Sequence, residues 1–289
     1  MGIEKGITKE VTVGEQAVSS EGLKNDAAIS GEATNGESKE TDRGISLVIP
    51  YLASEAQGDE LKYALRSILQ NARFPGSIVV IGDKPEWLEE TEAIFLEVER
   101  TSDNPQIDTM NKLKMAISSD LVSEKFIFSN DDIYFVSPVA LCDIETLKCV
   151  GDLNPNNFNG KMYKENMERT IELLKNNNLS ILNFGTHTPF FFEKDKVAEI
   201  FEKFPEINEE GYLFESIYFN YHYKGWNPII LDWKTDNWLL PFVTPNPNMD
   251  IVNKLISGKK FVNNATTGFS EIFVNKLKEL FPEKSDFEK

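Results

Sequence analysis

The chain has 289 residues, 40% of them hydrophobic and 11% aromatic, with a formal net charge of −17. Such a chain can bury an ample core, while its acidity argues against a general nucleic-acid binder, because phosphate attraction needs clustered Lys and Arg. Its two cysteines, Cys142 and Cys149, make neither a disulfide framework nor a zinc motif; with no long apolar span and no hydrophobic leader, they point to a soluble cytoplasmic protein without a transmembrane segment.

Residues 1–43 contain no aromatic residue and are rich in Gly, Ser, Glu, Ala and Thr. They cannot bury enough apolar surface to offset their ordering entropy, so the segment reads as a disordered N-terminal tail, with a single domain over 44–289. Folding begins at ISLVIPYL (45–52), a short apolar run suited to a buried strand. DELKYALRSILQNA then puts Leu61, Ala64, Leu65, Ile68 and Leu69 on one helical face, with Asp59 as N-cap and Pro75-Gly76 as the stop. SIVVIGD (77–83) and IFLEV (94–98) read as strands, and PQIDTMNKLKMAIS (105–118) as a helix with Ile107, Met110, Leu113 and Ile117 inward. EKFIFS (124–129) is the next strand. This alternation predicts an α/β sheet covered by helices on both faces.

The second half is less regular. Helices are expected over 164–178, 196–204, 211–225 and 270–281, with a loop running into a strand over 179–194. The aromatic and proline-rich stretch 226–248 carries no clear period.

Chemistry concentrates in FIFSNDDIYF (126–135), where Asn130, Asp131 and Asp132 interrupt an apolar run. Ligands of open α/β sheets bind beyond the carboxyl ends of strands, which is where these residues fall. Adjacent carboxylates in a partly buried loop are costly unless a cation neutralises them, and oxygen ligands suit Mg²⁺ or Mn²⁺ with a diphosphate completing the shell. A solvated Asn-Asp-Asp turn explains the same residues about equally well. His187, in the loop NFGTHTPFFF, is either a metal ligand or general base or a structural hydrogen-bonder; His222, among aromatics on a helix, reads as packing. Lys62, Arg66 and Lys112 are cations that could meet phosphates, although Asp108 and Lys112 have the spacing of a surface ion pair. Asp83, closing the second strand, suits a base or ribose contact, an N-cap or a turn.

Several segments in order resemble the Stealth family, which transfers a sugar 1-phosphate from a nucleotide sugar. The family's DELRYSLRSI is similar to DELKYALRSI at 59–68, its IxIVTxxQxPxWL to IVVIGDKPEWL at 78–88, and its FIYLNDDxFF to FIFSNDDIYF. A later His-x-Pro resembles His187-Thr188-Pro189, and its LFPExSxFE resembles LFPEKSDFE at 280–288. The chain departs from the family at its opening, where LVIPYLASE replaces VYTWVDGSD, in the centre, where NPQIDTMNK replaces LPTFNS, and at Asn263-Asn264, where the family has Asn-Asp.

The resemblance implies a GT-A-like mixed sheet with an irregular C-terminal half and one catalytic domain over 44–289. It implies a metal-dependent enzyme in polysaccharide or glycoconjugate synthesis that moves a sugar 1-phosphate from a nucleotide-sugar donor to a carbohydrate acceptor hydroxyl. Asp131, Asp132 and His187 would hold Mg²⁺ or Mn²⁺, with Asp132 and His187 catalytic and Asp83, Arg66, Lys112 and Asn130 binding the donor. Transfer of the sugar alone by a metal-dependent glycosyltransferase, or an inactive sugar-binding protein of the same fold, are the alternatives.

Overall fold

Along the first strand, Leu47, Ile49 and Tyr51 face one side and Val48 the other, and all four are buried. Both faces of that strand are therefore covered, as its unbroken apolar run requires. The computed structural model describes residues 44–89, 94–157 and 160–289, and the tail expected over 1–43 lies outside the described residues.

In chain order the elements are β1 (Ser46–Tyr51), α1 (Glu60–Asn71), β2 (Ile78–Gly82), β3 (Ile94–Glu97), α2 (Pro105–Ser118) and β4 (Lys125–Phe128). β5 (Ile133–Phe135), α3 (Leu141–Glu145), β6 (Lys148–Cys149), α4 (Lys161–Asn176), β7 (Phe190–Glu193) and α5 (Lys194–Lys203) follow. The chain continues through α6 (Phe214–His222), β8 (Ile229–Ile230), β9 (Leu239–Phe242), α7 (Met249–Leu255), β10 (Phe261–Asn264) and α8 (Glu271–Leu280). The stretch without a clear period thus contains two short strands, β8 and β9.

Five strands form the main sheet in the order β3-β2-β1-β4-β7, parallel except for β7, which runs antiparallel to β4 at the edge. The expected mixed α/β sheet flanked by helices on both faces is present. Period-two alternation sends Val48, Val79, Ile81, Phe126 and Phe128 towards α2, α5 and α6. It sends Leu47, Ile49, Val80 and Ile127 towards α1 and α3.

Asn104 caps α2 by accepting from Gln106 N, and Pro105 occupies the first turn, where its missing N–H has no helical partner. On α1, Leu61, Leu65 and Ile68 are buried, but Leu69 is 48% exposed, because the helix buries a narrower stripe than its apolar residues would cover. Asp59 makes no capping hydrogen bond; its carboxylate takes an ion pair from Lys62 at 2.8 Å instead.

A second sheet decides the environment of the acidic loop. β5 leaves the main sheet and pairs antiparallel with β10, which pairs parallel with β9. Tyr134, Val262 and Phe242 pack there against Phe273, Leu277 and Phe281 of the C-terminal helix and its end. Residues 129–132 therefore bridge two sheets, and the apolar runs on either side of the carboxylates belong to different layers.

Candidate active site at the sheet's switch point

The chain moves outward from β1 through β2 to β3 and then returns to place β4 on the other side of β1. This reversal makes a topological switch point between β1 and β4, where open α/β sheets leave a crevice beyond the strand ends. A cavity of about 260 Å³ lies there. β1 supplies Pro50 and Tyr51 to its wall, the residue after it supplies Leu52, and the segment after β4 supplies Asn130, Asp131 and Asp132.

Both aspartates are only half-buried by surface but are surrounded by protein. Burial raises the Asp131 carboxyl above the ordinary carboxylate range, and the charges of Asp132 and Glu60 raise it further. Asp132 is raised by burial and then by Glu60. Among the described residues, Asp132 Oδ1 is buried with no hydrogen-bond partner. An unpartnered carboxylate oxygen beside a second carboxylate is costly in a protein interior, and a cation would satisfy both.

Glu60, at the start of α1, is a wall residue that sequence reading missed. Gln57 N donates to its Oε2, and Asn264 Nδ2 donates to its Oε1 at 2.5 Å. Tyr134 in turn donates its hydroxyl to Asn264 Oδ1 at 2.8 Å. The asparagine standing where the resemblance expects a carboxylate thus has a role: its amide donates to a buried carboxylate, which an aspartate in its place would repel.

Lys112 and Arg100 are the cations of this wall. Lys112 is 2% exposed; its ammonium donates to Asp108 Oδ2 at 2.7 Å and to the Tyr51 carbonyl at 3.1 Å. Gly82 makes the close approach possible: its φ is 140°, and a Cβ there would stand 1.8 Å from Tyr51 O. Lys112 therefore lines the cleft, as a donor-binding residue would, with its charge already engaged by Asp108. The Asp108–Lys112 pair itself is present, but buried rather than on the surface. Arg100, missed because β3 is followed by an irregular segment, also lines the cavity and pairs with Glu55 at 3.0 Å. Its side chain is 32% exposed; Nε donates to the Ser102 carbonyl at 2.9 Å and Nη2 lies 3.6 Å from the Asp103 carboxylate, so two of its five N–H groups are left for an anion.

Arg66 is not brought to the cleft. Its guanidinium grips Glu288 with two 2.7 Å bonds and donates to the Phe281 carbonyl. Lys62 stands over the Trp87 ring at 5.2 Å. Asp83 accepts from Ala53 N at 2.8 Å, ordering the loop after β1 without lining the cavity.

A second cavity, of about 180 Å³, adjoins the first and shares Pro105, Thr109 and Asn130 with it. His187 lies on this one, exposed at its edge, with a left-handed φ of 51°. Crowding by protein lowers its pKa below the ordinary imidazole value, although the ring keeps a solvent-facing surface. Buried hydroxyls of Thr186 and Thr188, 2.8 Å apart, close the turn around it. A non-glycine residue in that region stores roughly 1–3 kcal/mol of strain, a cost found often at functional turns. Among the described residues no three His, Cys, Asp or Glu side chains gather as a metal cage, and His187 lines the second cavity while the acidic pair lines the first. The two aspartates alone still fit Mg²⁺ or Mn²⁺, which one or two carboxylates commonly hold beside phosphate oxygens. His222 is a packing residue as expected: its Nε2 donates to Lys196 O at 2.9 Å and its ring lies 4.9 Å from Tyr218.

Part of the chain is similar to a polysaccharide enzyme. An exopolysaccharide phosphotransferase of Nocardia farcinica (strain IFM 10152) is 38% identical over 92 residues, which is 29% of this chain and 18% of that protein. The match thus spans under a fifth of the curated relative's length. No family model matches the sequence. Among solved structures, the apo form of the bifunctional glycosyltransferase WbbM is 12% identical with a TM-score of 0.44, covering 84% of this chain and 50% of that one. An active-site mutant of LgtC is also 12% identical, with a TM-score of 0.45, covering 82% of this chain and 95% of that one. Among the described residues no helix is long and apolar enough to cross a membrane.

Proposed function

We propose that the protein is a nucleotide-sugar-dependent transferase that moves a sugar 1-phosphate onto a carbohydrate hydroxyl. The observation that carries this reading is the unpartnered oxygen of Asp132 beside Asp131, at the switch-point cleft where a diphosphate would lie. The partial likeness to an exopolysaccharide phosphotransferase supports the reaction class.

Asp131 and Asp132 would hold the Mg²⁺ or Mn²⁺, which would supply charge neutralisation for diphosphate oxygens. Arg100 approaches the same anion from the cavity wall, and Asn130, common to both cavities, orients groups between them. Lys112 keeps the β1 end in place through the Tyr51 carbonyl rather than meeting phosphate directly. His187, whose pKa is lowered by the protein crowded around it, accepts the proton of the attacking hydroxyl.

In sugar 1-phosphate transfer the acceptor oxygen bonds to the donor's β-phosphorus and a nucleoside monophosphate departs. Transfer of the sugar alone would form the bond at the anomeric carbon and release a nucleoside diphosphate. The test is to screen nucleotide sugars with Mn²⁺ and identify the released nucleotide. Release of a nucleoside monophosphate with a phosphodiester product supports the proposal. A nucleoside diphosphate would replace it with glycosyl transfer, and absence of metal-dependent nucleotide binding would overturn both.

A further inference from the structure

The second cavity differs in chemistry from the first. Phe128, Phe190, Phe192 and Phe214 supply aromatic wall, and no Lys or Arg occurs among its described lining residues. One carboxylate, Glu215 at the start of α6, reaches it. No cation pairs with Glu215 among the described residues, and burial pushes its carboxyl up to about 7. Gly185 keeps the space beside it open: a Cβ there would stand 3.2 Å from Glu215 Oε1 and 3.1 Å from Asn183 Oδ1.

We propose that this cavity is the acceptor subsite, taking one uncharged sugar ring with its apolar face on the phenylalanines and a hydroxyl donating to Glu215. Four features point to that ligand. A carboxyl without a cation, ionised or neutral, accepts from hydroxyls and offers no positive charge to hold phosphate or uronate groups. Aromatic faces bury the C–H surface of a ring. A volume of about 180 Å³ is on the scale of one ring rather than a whole nucleotide sugar. The shared residues Asn130 and Thr109 join it to the acidic cleft, so an acceptor seated here would lie beside the donor and next to His187. Phosphate recognition falls to the first cleft and neutral-sugar recognition to the second. The acceptor role rests on the transferase reading above.

The experiment is saturation-transfer NMR on the full chain with methyl glycosides of glucose, galactose and N-acetylglucosamine, and with glucuronic acid and glucose 6-phosphate as charged controls. At least one neutral glycoside should bind and continue to bind when Mn²⁺ and nucleoside diphosphate are saturating. Glu215→Leu should weaken it about tenfold or more. Gly185→Val, which fills the space, should abolish it, with thermal melting checked for each variant. The proposal fails if no glycoside binds, if binding survives both substitutions, or if the charged sugars bind equally well. Displacement by an intact nucleotide sugar but not by the nucleoside diphosphate would make this the donor's sugar pocket instead. Glycoside binding with no metal-dependent nucleotide binding would overturn the acceptor role and the transferase reading while leaving a sugar site.

Discussion

Arg66 and Glu288 form a two-pronged ion pair, Nε to Oε1 and Nη2 to Oε2, each at 2.7 Å. It fastens the C-terminal segment to α1, with Phe287 buried against Leu61 and Leu88 and with Glu89 N donating to the Phe287 carbonyl. Glu288→Gln should cost about 1–3 kcal/mol, the range for charge-assisted hydrogen bonds, read as a lower melting temperature.

The same pair predicts a pH dependence. Burial opposes ionisation of Glu288, but hydrogen bonds from Arg66 and Ser285 outweigh it and hold the carboxyl at about 2. A depressed carboxyl contributes stability that is complete above its unfolded pKa of about 4.5 and is lost as pH falls through about 2. Thermal melts between pH 5 and 2 should show the wild type losing more stability than Glu288→Gln, whose profile lacks this component.

Lys112→Met should destabilise strongly, by roughly 3–5 kcal/mol, because it leaves Asp108 ionised, 4% exposed and without its cation. Replacing Asp108 by Leu at the same time should recover much of that loss. A single substitution that left the melting temperature unchanged would return Lys112 to donor binding.

Asp132→Asn should raise the stability of the metal-free protein by about 0.5–2 kcal/mol, since it removes a crowded, unpartnered carboxylate. It should also abolish Mn²⁺-dependent nucleotide binding in calorimetry. Donor binding at wild-type affinity would reduce the acidic pair to a turn.

His187→Ala should lower turnover about 10²–10⁴-fold, the usual loss on removing a general acid–base group. His187→Gly should be more stable than His187→Ala, because glycine accepts the left-handed backbone without a steric penalty. Equal turnover per folded molecule in wild type and both variants would leave the histidine a structural turn residue.

Local pattern determined much of this molecule. Short unbroken apolar runs placed β1, β2 and β4, helical periodicity placed α1 and α2, and interruption of an apolar run by Asn130–Asp132 marked the end of a strand. These features are legible because they depend on residues a few positions apart. His187 could be singled out as a loop histidine, but its φ and its cavity could not. What tertiary structure alone decided is who meets whom across the chain. Arg66 looked free until Glu288, 222 residues away, took both its edges. Glu60 drew no reading from the sequence, and its role appears only where Asn264, 204 residues away, donates to it. The departure of β5 into a second sheet put Asp131 and Asp132 between layers, and the return of the chain to β4 opened the cleft they face. Ion pairs and hydrogen bonds are short-ranged in space but indifferent to sequence separation, so packing, not pattern, selected which cations are paired and which carboxylates are buried.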